Sequence, residues 1–246
     1  MLIFKKKHHP RPDYSLLGTD LHSHLLPGID DGAPDLDTSL SLIRGLRELG
    51  FEKLITTPHV MGDLYPNTPE IISERLLAVH MGLAETSATA DLQAAAEYFL
   101  DDQMADYMQD SKPMLTISGK YLLCEFSMMS PTMGLKEMIF QLQMQGYQIL
   151  LAHPERYVYL EMNKGHYDEL KAMGCLFQLN LLSLGSYYGK TVQSLTQYLI
   201  KKQYYDFAAT DLHNVRQLEL LQDPKLGEGL KRLMDSGRIR NRELMS

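Results

Sequence analysis

The amino-acid sequence predicts an α/β protein folded as one closed or nearly closed β/α barrel, and three observations predict it. Apolar strand-like runs alternate with helix-like stretches from Leu17 to Ala209, giving six or seven units in one chain. Gly50, Gly146 and Gly174 each stand between a helical pattern and the next apolar run, where a helix stop belongs. Histidines and carboxylates recur just after the apolar runs, and barrels gather their reactive groups at the carboxyl ends of many strands. That number of units favours closure over an open doubly wound sheet.

A chain of 246 residues is long enough for a single barrel, and no repeat, low-complexity segment or Pro/Gly-rich linker divides it. The formal net charge of -7 argues against a general nucleic-acid binder, which needs a basic face. The two cysteines, Cys124 and Cys175, lie inside apolar runs, so both are expected in the core and a reducing, cytoplasmic compartment is the default. Neither has an arginine six residues later, so the cysteine-nucleophile phosphatase signature is absent. Residues 1–18 read as a basic N-terminal arm, mobile up to Asp13, and residues 19–246 as the barrel domain. The charges of the arm follow a very short apolar start, the wrong order for a secretory signal, and no run is long enough to span a bilayer.

The elements follow in order. Leu17 to Leu21 reads as a strand, and Leu36 to Leu49 as an amphipathic helix capped by Asp35. Phe51 to Thr57 is a strand ending at Pro58-His59. Thr68 caps, and Pro69 opens, a helix whose buried face is Ile71, Ile72, Leu76, Val79 and Leu83. Leu92 to Ala96 is a short strand, Asp101 to Gln109 a short helix, and Met114 to Ser118 with Tyr121 to Leu123 a hairpin or an edge and core strand. Gly134 to Gln145, Tyr167 to Met173 and Val192 to Lys202 are helical; Tyr147 to Ala152, Cys175 to Leu179 and Tyr205 to Ala209 are strands. The rest, to Ser246, is helical covering structure.

The strand ends carry the chemistry. His22 and His24 lie two apart, so in a strand both imidazoles point to one side, and the Pro27–Gly32 turn can fold Asp30 or Asp31 back over them. Any two of nine histidines fall two apart now and then, so the pair matters only because other donors recur: His59, Glu97, Glu125, His153, Asp211 and His213. A carboxylate at the end of an apolar strand is costly to bury without a partner. Oxygen and imidazole donors with no thiolate suit catalytic Zn, Mn or Fe, and this many donors exceed the needs of one ion. His9, His80 and His166 lie in the arm and on helices and are read as unrelated to the site.

The segments Asp20-Leu-His-Ser-His with Asp30-Asp31-Gly32, Thr57-Pro58-His59, Ala96-Glu97, Cys124-Glu125-Phe126-Ser127-Met128, Ala152-His153-Pro154-Glu155-Arg156 and Thr210-Asp211-Leu212-His213-Asn214 resemble the polymerase and histidinol phosphatase (PHP) superfamily. Within it they are most similar to the bacterial manganese-dependent protein tyrosine phosphatases of capsule and exopolysaccharide clusters. The resemblance implies a distorted, TIM-like (β/α)7 barrel with up to three divalent ions, Mn2+ or else Fe or Zn. It selects Asp31 over Asp30. It implies one metal on His22, His24, Glu97 and Asp211, with Glu97 bridging to a second on Glu125 and His153, and a third on Asp31, His59 and His213. It implies phosphate contacts for Arg156 and, at roughly the place of a second arginine, Arg216. The expected reaction is hydrolysis of phosphotyrosine by a metal-bridging hydroxide, the expected partner a bacterial tyrosine kinase with a Tyr-rich tail. Two competing readings are a small-molecule phosphatase acting on histidinol phosphate and a non-catalytic phosphotyrosine-binding module.

Overall fold

A computed structural model describes residues 11–86, 90–101, 104, 107, 108 and 113–245. Among the described residues nine short strands all pair in parallel: β1 (Thr19–Asp20), β2 (Lys53–Thr56), β3 (His59–Val60), β4 (Asp91–Ala94), β5 (Glu97–Phe99), β6 (Tyr121–Glu125), β7 (Gln148–Ala152), β8 (Leu176–Asn180) and β9 (Phe207–Ala209). They form two sheets, β1-β2-β4 and β3-β5-β6-β7-β8-β9. Strand order alone therefore gives an α/β fold of two parallel sheets, not one continuous barrel sheet.

The break between the sheets has a local cause. Pro58 brings no N–H to a ladder, so the chain from Lys53 to Val60 is interrupted at Thr57-Pro58. Opposite it, β4 and β5 are interrupted at Ala95-Ala96, yet Ala95 N donates to Thr56 O at 2.8 Å and Glu97 N to Pro58 O at 3.0 Å. On the other side, a parallel bridge joins Ser23 to Leu212, flanked by Asp211 N to His22 O at 2.8 Å and His24 N to Leu212 O at 2.9 Å.

Strand residues pack on both faces, which is why the runs read as continuously apolar. Leu123, Leu150, Ala152, Phe207 and Ala209 join Leu21, Ile55 and Leu244 in one cluster, while the alternating Leu122, Cys124, Ile149, Leu151 and Ala208 face the helices in another. The helices are α1 (Leu36–Glu48), α2 (Pro69–Glu85), α3 (Leu135–Met144), α4 (Gly165–Ala172), α5 (Lys190–Lys201), α6 (Val215–Leu220) and α7 (Pro224–Asp235). Asp35 caps α1 by accepting from Thr38 N, and Thr68 caps α2 by accepting from Ile71 N. Cys124 and Cys175 are buried free thiols, as expected.

Several expectations need correction. Ile71 is exposed, because the buried face of α2 runs through Ile72, Val79 and Leu83. Met114 to Ser118 forms no strand; Ile117 N instead donates to Tyr121 O at 2.8 Å. The expected helix from Asp101 to Gln109 lies largely outside the described residues. Tyr14, inside the segment expected as arm, is packed: its ring stacks on Phe51 at 5.4 Å and its hydroxyl donates to Leu221 O at 2.9 Å. The last residues do more than cover, since Leu244 enters the inner cluster and Asn241 Nδ2 donates to both Thr19 O and Ala208 O.

Candidate metal centre

The strands end together, and that brings the donors together. His22 and His24 follow β1, His59 opens β3, Glu97 opens β5, Glu125 closes β6, His153 follows β7, and Asp211 and His213 follow β9. Register sets His59 opposite Glu97 in the β3–β5 ladder. Asp31 arrives from the loop after β1, and its Oδ1 stands 3.5 Å from His59 Nε2 and 3.4 Å from His213 Nε2. Thus every histidine and carboxylate singled out in the sequence reaches one site. His153 and Asp211 adopt left-handed backbone angles, φ 33° and 51°, a costly conformation for side-chain-bearing residues that recurs at functional sites.

The histidine tautomers follow from their outer partners. His22 Nδ1 lies 2.9 Å from Gln178 Oε1, and His24 Nδ1 lies 2.8 Å from Asp30 Oδ2. Both partners are acceptors, so the Nδ1 atoms carry the protons and the two Nε2 atoms turn lone pairs toward each other, 3.3 Å apart. Such a pair is repulsive unless a proton or a metal cation lies between. Around it, Glu97 Oε2 and Asp211 Oδ1 are each 3.2 Å from His22 Nε2, and Glu97 Oε1 is 3.2 Å from His153 Nε2. Glu97 Oε2 is fully buried without a hydrogen bond of acceptable geometry. Donor–donor separations of this size are what bonds of about 2.0–2.2 Å to a shared ion produce.

Four sets of donors lie close enough to share an ion: His24, Asp31, His59 and His213; His22, His24 and Asp211; His22, Glu97 and His153; and His59, Glu97 and Glu125. Asp31, His59 and His213 share one set with His24. Glu125 lies 3.1 Å from His59 Nδ1 and 3.9 Å from His153 Nε2. Charge is balanced within the cluster. Burial opposes ionisation of His22, but Glu97 and Asp211 overcome it and push its pKa up to about 9. A hydrogen bond from His213 holds the Asp31 carboxyl down at about 2, against the effect of its own partial burial. Beneath the site Asp20 is pushed up to about 7 by burial, although it accepts from Thr210 N and Oγ1. The donor set fits divalent cations.

Above the cluster opens a cavity of about 490 Å³, lined by candidate ligands together with Tyr65, Phe99, Phe126, Met128 and Arg156. Arg156 Nη1 donates to Asp211 Oδ2 at 2.8 Å, and its guanidinium lies over the Tyr188 ring, 4.7 Å from the centroid. Asn180 Nδ2 donates to that same Asp211 oxygen and to the Tyr188 hydroxyl, at 2.9 and 3.1 Å. Arg216 does not reach the cavity. Asn214 caps α6, the next turn aims Gln217 inward to accept from His213 N, and Arg216 is left exposed one position round the helix. Gln178, Asn180 and Tyr188 went unnoticed in the sequence because neutral residues in or after an apolar strand carry no charge signal. Asp30 was visible as an alternative to Asp31, and both are used.

The chain matches the model of the family described as capsular polysaccharide synthesis, CpsB/CapC, over residues 18–236. It is 26% identical over 80% of its length to the tyrosine-protein phosphatase YwqE of Bacillus subtilis, covering 78% of that protein. It is 28% identical over 80% of its length to the tyrosine-protein phosphatase CpsB of Streptococcus pneumoniae, covering 83% of that protein. Among crystal structures of YwqE and CpsB, described as unique metal-dependent tyrosine phosphatases, one superposes with a TM-score of 0.78 at 26% identity, covering 87% of this chain and 86% of that one. A histidinol phosphate phosphatase from Lactococcus lactis shares the fold, with a TM-score of 0.52 at 13% identity, over 90% of this chain and 93% of that one. The match across nearly all of the domain, on a chain whose strand ends deliver these donors, makes it a member of the CpsB/CapC family of capsular polysaccharide synthesis proteins.

Proposed function

We propose that the chain is a metal-dependent phosphatase that hydrolyses phosphotyrosine in a protein. One observation carries the reading: His22, His24, Asp31, His59, Glu97, Glu125, His153, Asp211 and His213 converge under a cavity that also presents Arg156. These nine would hold up to three divalent ions, Glu97 belonging to two neighbouring sets; Mn2+ is the leading choice, and Fe or Zn suits the same donors. Divalent cations bound there supply Lewis-acid neutralisation of the phosphate charge and acidify a water molecule for attack on phosphorus.

The chain's own groups do the rest. Arg156 spends Nη1 on Asp211 and keeps further N–H donors for a phosphate oxygen, held in place by the Tyr188 ring. Tyr65, Phe99, Phe126 and Met128 offer the cavity wall an apolar surface suited to an aryl ring. A phenol has a pKa of about 10, so its oxygen leaves without a dedicated general acid, and none is assigned. We further propose that the segments 19–23, 53–60, 91–99, 121–125, 148–152, 176–180 and 207–212 act as seven strands of one distorted barrel. The Ser23–Leu212 bridge and the Ala95–Thr56 bond support it.

The proposed substrate is the tail of a bacterial tyrosine kinase governing polysaccharide export, in the cytoplasm. Buried free thiols fit a reducing compartment, and no described helix is long and apolar enough to cross a membrane. The test is elemental analysis of the purified protein together with turnover of a phosphotyrosine peptide and of histidinol phosphate, before and after chelation. Peptide turnover that chelation abolishes and one divalent ion restores is expected. Equal or reversed preference for histidinol phosphate, or full activity without metal, overturns the reading.

A further inference from the structure

A second cavity, about 470 Å³, lies beside the first and shares a wall with it. The wall is Phe126, which lines both cavities and is held rigid by stacking on Tyr157 at a ring separation of 3.8 Å. The loop that follows β6 serves both: Met128 lines the first cavity, while Pro131, Thr132 and Gly134 line the second. Tyr159, also in the second lining, fixes this loop by donating its hydroxyl to Ser127 O at 3.0 Å.

The second cavity has different chemistry from the first. Leu135, Leu160, Leu170, Phe126 and Pro131 make it apolar. Its charges are largely spent on each other, since Lys136 Nζ pairs with Glu169 Oε2 at 2.9 Å. Apart from Tyr159, its remaining ionisable lining groups are Glu137 and His166, and no arginine stands among the described lining residues. The segments that border it also hold out Met129, Met133 and Met162, at 88%, 88% and 92% exposure. Flexible thioethers exposed around an apolar hollow are suited to gripping side chains of varied shape.

We propose that this hollow takes an apolar or aromatic side chain of the same polypeptide segment that carries the phosphotyrosine. The inference rests on the phosphatase reading above. A segment that seats its phosphorylated ring in the first cavity has the second hollow across the Phe126 wall, reached over the Ser127–Met133 loop. Specificity for a protein substrate over a free aryl phosphate then comes from apolar contact next to the phosphotyrosine.

The test is kcat/KM for a set of phosphotyrosine peptides placing Leu or Phe, in turn, at each of the three positions on either side of an otherwise Ser/Gly sequence. Para-nitrophenyl phosphate, which has no flanking residue, is the control. The metal-loaded wild-type protein is expected to favour at least one apolar peptide by about tenfold or more, the discrimination a hydrophobic pocket provides. Thr132→Trp, which fills the hollow, and Leu135→Glu, which charges it, are expected to erase the preference and leave para-nitrophenyl phosphate turnover within twofold of wild type. Turnover of para-nitrophenyl phosphate with no wild-type preference at any position, or a preference that survives in both variants, overturns the proposal. Absence of turnover on every ester overturns the phosphatase reading itself. Should a variant fail to fold, as circular dichroism shows, the wild-type peptide series still decides.

Discussion

His22, His24 and Asp211 are each oriented by a partner that is not itself a candidate metal ligand, and the partners carry testable weight. Gln178 accepts the His22 Nδ1 proton, so Gln178→Leu strands a buried donor and frees the ring. Loss of such an outer hydrogen bond typically weakens a metal site by about 10- to 100-fold. The expectation is that Gln178→Leu loses metal at a buffered concentration where wild type stays loaded, while Gln178→Glu, which keeps an acceptor, retains it; equal retention in all three removes the role. Tyr188 is the corresponding support for Arg156. A cation–π contact of about 1 kcal/mol predicts that Tyr188→Leu raises KM for a phosphotyrosine peptide roughly three- to tenfold with kcat little changed. Tyr188→Phe, which keeps the ring and loses only the bond from Asn180, stays within about twofold; a Phe variant as poor as Leu would shift the role to the hydroxyl. At this scale the sequence reveals the charged half of the site and hides the neutral half. Glu97 and His153 stand out against apolar runs, whereas Gln178 and Asn180 look like ordinary strand polar residues until the fold brings their partners to them.

Elements explain why the legible residues converge. His22-x-His24 could be read as a pair because side chains two apart share a face, and the ends of β6, β7 and β8 were readable from their apolar runs and the glycines before two of them. What escaped was the division into two sheets, since it depends on interruptions at Pro58 and at Ala95-Ala96 that look, in sequence, like the ends of strands. The packing of Tyr14 escaped too, because its partners Phe51 and Leu221 are remote in the chain. The loop after β1 shows how tightly an element can be specified. Gly32 sits where a Cβ would fall 2.2 Å from His24 O and 2.4 Å from its Cβ, so only glycine lets the loop return Asp30 and Asp31 to the site. Gly32→Ala must push the loop off His24, moving Asp30 from His24 Nδ1 and Asp31 from His213. The expected variant folds, by circular dichroism and melting, yet binds fewer metal equivalents than wild type; full metal content would show that the loop adjusts without cost.

For the molecule as a whole, the cluster sets how stability depends on metal and pH. Glu97 and Asp211 are buried with His22 and His24, and without an ion those two carboxylates are balanced by protons on the two imidazoles. In the metal-free protein His22, raised from its ordinary 6.5 to about 9, contributes stability that is fully present below about pH 6.5 and lost as pH rises through 9. A bound cation replaces those protons and does not leave as pH rises, because neutral imidazole and ionised carboxylate are the forms that bind it. Metal-loaded and chelated protein should therefore melt closest together near pH 6 and draw apart toward pH 9, with the chelated form falling. The measurement is a pair of melting series across that window at fixed free metal. A gap that stays constant or narrows with rising pH would mean that protons on these imidazoles do not stand in for the ions.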